Sequence, residues 1–239
     1  MTSYRLQVCS GADDLARQCA QQMASLIDQA LGERDRVQIA LAGGETPKAT
    51  YRLLARQHLP WDRVDVLLGD ERWVSADDPS SNARMVHETL LAAGEPGSAA
   101  RFHPVPTDLP DPQASAEAFA ALLETLCPGR PPQLDLVLLG LGDDGHTASL
   151  FPGTAAPAVR DRWTTIGEGK GLPRVTLTAP VLSAARRVLF LVSGAGKTQA
   201  LSRLLDAKED PARTPARLVQ PSAAVLVLAD AEAAASLPG

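Results

Sequence analysis

Apolar side chains fall in short unbroken runs, separated by longer stretches with helical spacing. The runs are YRLQV (4–8), VQIALA (37–42), VDVLLG (64–69), LDLVLLG (134–140), RVTL (174–177), RVLFLV (187–192) and AVLVLA (224–229). Most are continuous rather than alternating, the pattern of strands covered on both faces. After the first run, Leu15, Cys19, Met23, Leu26, Ile27, Ala30 and Leu31 recur at threes and fours and predict a helix, with Ser10 and Asp13 as its capping start. Asp111-Pro112 opens a second helix, with Phe119, Leu122, Leu123 and Leu126 on one face. Ala83, Val86, Leu90 and Leu91 predict a third, stopped near Gly94. This alternation predicts a mostly parallel α/β sheet, and in such sheets ligands gather at the carboxyl ends of strands. Two proline-rich stretches, 104–112 and 127–132, read as surface loops. With no internal repeat or low-complexity tract, the expectation is one domain over 1–239.

Composition narrows the classes. The 239 residues are 45% apolar and 21% charged, an ordinary globular mix. A chain this long buries roughly 70–75% of its unfolded surface and needs no metal or disulfide to hold it. A formal charge of −5 with no basic groove predicts no nucleic-acid partner. An anionic ligand would then need positive groups concentrated locally. Cys9, Cys19 and Cys127 lack C-x-x-C spacing and read as reduced thiols. The opening residues carry no basic segment followed by an apolar stretch. No run approaches the ~18 residues of a membrane span, so a cytoplasmic protein with no membrane partner is expected. His58, His87, His103 and His146 are scattered without metal-ligand spacing, so no metal is expected.

Two glycine motifs mislead. Gly140, Gly142 and Gly145 spell the dinucleotide fingerprint after a strand, and Glu168 lies somewhat beyond the usual ~20 residues. Against that reading, Asp143 and Asp144 would repel a pyrophosphate, and Pro152 cuts short the helix that should follow. In GAGKT (194–198), Leu191 stands where a Walker loop needs glycine. Strand, glycine turn, lysine and helix start remain, an arrangement able to hold a phosphate. The G-x-S-x-G marker of serine hydrolases is absent.

Five strand ends then carry the chemistry. In LAGGETP (41–47), Thr46 caps a helix and Pro47 suits its first turn, while small residues expose N–H groups to an anion. Glu45 must face away if a phosphate sits there. Asp70, Glu71 and Arg72 follow a buried strand directly. They are either a surface salt-bridge set or, at a strand's carboxyl end, functional. Asp144 and His146 flank Gly145, and a histidine titrating near neutrality serves as a general base. Arg174 and Lys197 are the natural local cations for a phosphate.

Taken in order, AGGETP, GDERWV followed by SN, LGLGDDGHTASLFP, RVTLTAPVL and VSGAGK resemble the 6-phosphogluconolactonases, most strongly from Leu41 to Lys197. The resemblance implies a three-layer α/β/α, Rossmann-like fold with a mostly parallel sheet, shared with glucosamine-6-phosphate deaminases and ribose-5-phosphate isomerases. It implies hydrolysis of 6-phospho-D-glucono-1,5-lactone in the oxidative pentose phosphate pathway, without a cofactor. The partner is then a small sugar-phosphate lactone, and the expected state is a monomer or weak homodimer. Carried over, Gly43, Gly44 and Thr46 line the phosphate cradle, with Arg174 and Lys197 as its cations. Arg72 contacts substrate, His146 is the base and Asp144 stands beside it. Asp70 corresponds to the proton-abstracting acid of the deaminases, and Asn82 matches a family position with no assigned role. Glu45 departs from the pattern, where serine often stands. A deaminase of the same fold is the nearest rival, but Phe151 stands where those enzymes carry an acid. A non-catalytic sugar-phosphate sensor is a second, but no basic recognition segment accompanies the first helix.

Overall fold

The computed structural model describes residues 2–169 and 171–237. Along the chain run β1 (Tyr4–Cys9), α1 (Ala12–Glu33), β2 (Val37–Leu41), α2 (Thr46–Ala55), β3 (Val64–Leu68), β4 (Asp70–Arg72), α3 (Asn82–His87) and β5 (Arg101–Phe102). There follow α4 (Pro112–Leu126), β6 (Leu136–Gly140), β7 (Thr164–Gly169), β8 (Leu172–Leu177), α5 (Ala179–Ala184), β9 (Arg187–Val192), α6 (Thr198–Leu205) and β10 (Val225–Asp230).

Seven strands form one sheet in the order β1-β10-β9-β6-β2-β3-β5. Every neighbouring pair in it is parallel. Continuous apolar runs are what such a sheet needs, because alternate side chains enter two different cores. Leu136 and Leu138 of β6 join Ile39, Val66 and Leu189 on the side of α1 and α2, with Met23, Ile27 and Tyr51. Val137 and Leu139 point the other way, joining Phe190 and Val227 against Phe119 of α4 and Leu201 of α6. Each fully buried Leu or Phe contributes roughly 1.5–3 kcal/mol of burial, so both faces stabilise the sheet. The three-layer α/β/α arrangement expected from the motifs is the observed one.

RVTL is a strand, but it does not belong to that sheet. As part of β8 it pairs antiparallel with β4 and β7 in a separate three-stranded sheet. The partners escaped prediction because β4 is the charged Asp70–Arg72 and β7 is the polar TTIGEG, neither an apolar run. This small sheet packs Val175 and Leu177 into the core on the α4 side and stands Arg174 opposite Arg72.

Local starts and stops also differ. The capping start of α1 is not Ser10 with Asp13. Asp14 Oδ2 accepts from the Ser10 N–H at 3.0 Å and from its hydroxyl at 3.1 Å. The third helix ends at His87 rather than near Gly94, because the Leu91 N–H turns back to the Val86 carbonyl. In α4 the expected cap holds, with Asp111 Oδ1 accepting from the Ala114 N–H at 2.8 Å.

Candidate active site

The central strands β2, β3, β6 and β9 all end on one edge, where the chain connections diverge. Their loops surround a cavity of about 300 Å³. Its wall includes Gly43, Gly44, Thr46, Asp70, Arg72, Asn82, His146, Arg174 and Lys197, so the structure brings together all but one of the residues that the resemblance assigns to the site. Asp144 is the exception. Its side chain is 44% exposed and meets the His146 ring, which does line the cavity.

After β2, the Tyr51 hydroxyl, fully buried, donates to the Ala42 carbonyl at 2.8 Å and fixes the turn. Gly44 has φ +100°, a left-handed conformation that suits glycine. Gly43 is glycine for another reason: a Cβ there would lie 2.0 Å from Asn82 Oδ1. Thr46 is not the cap. It is the first residue of α2, and Glu45 takes the cap position without a side-chain hydrogen bond. The Glu45 carboxylate is 86% exposed and pairs with Lys48 Nζ at 2.6 Å, and the residue itself lines the cavity. Gly43→Ala is expected to force the Asn82 amide out of place. Overpacking of this kind costs about 1–3 kcal/mol, read as a lower urea midpoint. An unchanged midpoint would mean that Asn82 is not held there.

After β3, Glu71 is 1% exposed and organises the segment. Its carboxylate accepts the backbone N–H groups of Arg72 at 2.8 Å, Asn82 at 2.8 Å and Ala83 at 2.7 Å, and the Ser81 hydroxyl at 3.1 Å. Burial pushes this carboxyl above the usual range, although the N–H bonds oppose it. Glu71 is thus structural, while its neighbours face the cavity. Asn82 Nδ2 donates to the Asp70 carbonyl at 2.8 Å, and Arg72 Nη1 donates to the Ser80 carbonyl. Among the described residues, Arg72 Nε and Asn82 Oδ1 are buried without a hydrogen-bond partner. Such atoms call for a polar ligand.

Asp70 of β4 and Arg174 of β8 form a buried charged pair within the small sheet. Ser149 Oγ donates to Asp70 Oδ2 at 2.5 Å, and Arg174 Nη1 lies 3.6 Å from the same oxygen. Burial lowers the Arg174 pKa and the Asp70 carboxylate opposes that shift. Arg174 Nε also donates to the Gly169 carbonyl at 3.3 Å.

After β6, no α-helix begins. The next helical turn is a short 3-10 segment at Ala156–Ala158. The dinucleotide fingerprint therefore lacks the helix N-terminus that gives it meaning. The loop instead folds onto itself. The Gly142 N–H donates to the His146 carbonyl at 2.8 Å, and Thr147 Oγ1 donates to the Gly140 carbonyl at 2.8 Å. Asp144 Oδ1 accepts the His146 N–H at 3.0 Å and faces His146 Nδ1 at 2.6 Å. Gly142 makes room for the ring, since a Cβ there would lie 2.0 Å from that Nδ1. The ring is 15% exposed and stacks on Phe151 at 4.2 Å between centroids.

After β9, Asp230 holds the turn. It accepts from Ser193 Oγ at 2.5 Å and from the Gly194 N–H at 3.0 Å. Gly194 has φ +93°, and α6 begins only at Thr198. The Gly194 N–H is committed to this carboxylate, so Lys197 and Ser193 are what the turn presents to the cavity. Sequence reasoning missed Asp230, Ser193, Ser149 and the structural part of Glu71. A carboxylate ending the last apolar run, and a serine opening SGAGK, were the available signals.

The His146 loop has its own support. The Gly145 carbonyl accepts from the Ala216 N–H at 3.0 Å, and Gly145, with φ +93°, packs on Thr214. Thr214 Oγ1 donates to Glu209 at 2.7 Å, and Arg213 Nε donates to the same carboxylate at 2.7 Å. The Arg213 guanidinium holds the Glu209 carboxyl down at about 2. A carboxyl depressed by folding stabilises above its unfolded pKa near ~4.3, and that contribution fades as pH falls toward about 2. Glu209→Gln is therefore expected to flatten the decline of Tm in that window. Parallel Tm curves for the two proteins would remove Glu209 from the account.

Comparison with known proteins places this geometry. The family described as glucosamine-6-phosphate isomerases/6-phosphogluconolactonase matches residues 10–228. A 6-phosphogluconolactonase of Synechocystis is 46% identical over 214 residues, covering 88% of this chain and 89% of that protein. The solved 6-phosphogluconolactonase of Trypanosoma brucei superposes with a TM-score of 0.88 at 30% identity, over 100% of both chains. A monomeric glucosamine-6-phosphate deaminase superposes at 0.81 with 25% identity, over 97% of this chain and 99% of that one. With its strand-end loops and its whole length accounted for in this way, the chain belongs to the glucosamine-6-phosphate isomerase/6-phosphogluconolactonase family.

Proposed function

We propose that this protein hydrolyses 6-phospho-D-glucono-1,5-lactone to 6-phospho-D-gluconate, with His146 as general base. The observation that carries the reading is one cavity, about 300 Å³, whose wall holds an imidazole backed by a carboxylate together with the cations Arg72, Arg174 and Lys197. That volume suits a single small ligand.

Asp144 takes Nδ1, which assigns the basic lone pair to Nε2. Nε2 removes a proton from water as the oxygen attacks C1 of the lactone. The carbonyl electrons move onto oxygen, and Arg72, with its buried Nε, is placed to offset that charge. The C1–O5 bond then breaks, and the imidazolium returns its proton to O5. Arg174 and Lys197 hold the phosphate and so orient C1, with Gly43, Gly44 and Thr46 as the remaining cradle. Asp70, tied to Ser149 and Arg174, keeps the guanidinium in place. Asn82 Oδ1 is an acceptor for a substrate hydroxyl. We further place the protein in the cytoplasm, as one domain and as a monomer or weak homodimer. Among the described residues no helix is long and apolar enough to cross a membrane.

The test is turnover of freshly made lactone, corrected for spontaneous opening. Acceleration well above the blank supports the reading. Release of ammonia from glucosamine 6-phosphate, with no lactone turnover, would transfer the protein to the deaminase branch.

A further inference from the structure

Phe151 lines no part of the cavity wall among the described residues, yet it touches two of the groups that do. Its ring is 6% exposed. The His146 ring lies against it at 4.2 Å with a 35° tilt, and the Arg174 guanidinium carbon stands over it, 5.5 Å from the centroid. Strand β7 is cut to fit this ring. A Cβ on Gly169 would lie 2.4 Å from Phe151 Cε2, and the Gly169 carbonyl takes the Arg174 Nε–H. Gly167, two residues earlier, gives way in the same manner to Ser149, the partner of Asp70. Two glycines on one strand thus seat one short segment, 149–151, beneath the cavity.

We infer that Phe151 is a positioning residue: one rigid ring, held from behind by Gly169, sets the imidazole of His146 and the guanidinium of Arg174 at a fixed spacing. A phenyl ring has only two side-chain torsions, and its electron-rich face attracts a cation. Arg174 is permanently charged, and His146 becomes charged when it takes a proton. The same ring therefore serves the resting cation and the transient one. A flexible aliphatic side chain would fill the volume but would fix neither orientation.

The turnover part of this inference rests on the lactonase reading; the geometric part does not. Phe151→Leu and Gly169→Ala attack the contact from opposite sides, the second without altering the ring. Both are expected to lower kcat about a hundredfold, as displacement of a reacting group by ~1 Å does, and to raise KM through the loosened Arg174. Ile27→Ala, in the core on α1 and outside the cavity wall, is the stability control. It should lower Tm with kcat unchanged. Independently of turnover, the His146 ring protons should be shifted upfield by the phenyl ring current in the native protein. They are assigned by their loss in His146→Gln, and should move toward ordinary positions in both variants. Native kcat in either folded variant, or unmoved His146 resonances, overturns the inference. If the native protein leaves lactone unhydrolysed while those resonances shift as stated, the function falls and the positioning role stands.

Discussion

His146→Ala is expected to lower kcat for lactone hydrolysis by ~10²–10⁴-fold, the usual contribution of a positioned general base. Affinity for 6-phosphogluconate, read as product inhibition or by calorimetry, should stay close to native, because the imidazole faces the reacting carbon and the phosphate cations are untouched. The fold should also survive. The Gly142–His146 and Thr147–Gly140 hydrogen bonds that close residues 140–147 use backbone groups and the Thr147 hydroxyl, and both remain when the Nδ1–Asp144 contact is lost. Asp144→Asn should have a smaller effect of the same kind. Its side-chain oxygen still accepts the His146 N–H, but it no longer offers the imidazolium a charge. Native kcat in His146→Ala would end the general-base mechanism.

The second large effect concerns the phosphate grip, and its two cations should behave differently. Lys197 is half-buried on a turn, so Lys197→Ala should leave stability near native. It removes a charge-assisted contact worth about 1.5–3 kcal/mol, a rise in KM of roughly 10–100-fold. Arg174 is 7% exposed and pairs with Asp70, which is itself 6% exposed. Arg174→Met should raise KM at least as much and in addition cost about 3–5 kcal/mol of stability, because it strands a buried carboxylate. Unphosphorylated glucono-1,5-lactone separates binding from chemistry. Its turnover should fall little in Lys197→Ala. If KM for the phosphorylated lactone is native in both variants, the phosphate lies elsewhere.

Much of this was legible in the sequence wherever one local rule dominates. Unbroken apolar runs marked β2, β3, β6, β9 and β10, because each is buried on both faces, whereas β1 is an edge strand with only Cys9 buried. The charges and glycines after β2, β3, β6 and β9 marked the cavity, because parallel α/β topology gathers those ends. What stayed hidden depends on long-range contact. β4 and β7 are strands only because they flank β8, and neither has the apolar content to announce itself. Thr46 was expected to cap α2, yet its hydroxyl is not used so and the helix begins one residue earlier than the motif suggests. Gly43 read as room for a ligand, whereas its missing Cβ also admits the Asn82 amide. The apparent phosphate turn at Gly194 has a donor already spoken for by Asp230, 36 residues on.

That last tie has a consequence for synthesis. β10 is inserted between β1 and β9, so the earliest strand cannot find its neighbour until nearly the whole polypeptide has emerged. A nascent chain halted before Asp230 would already display every signature loop, including the imidazole and all three cations, yet Ser193 and Gly194 would have no anchor. Activity during translation should therefore switch on late and in one step, as the ribosome releases the final strand.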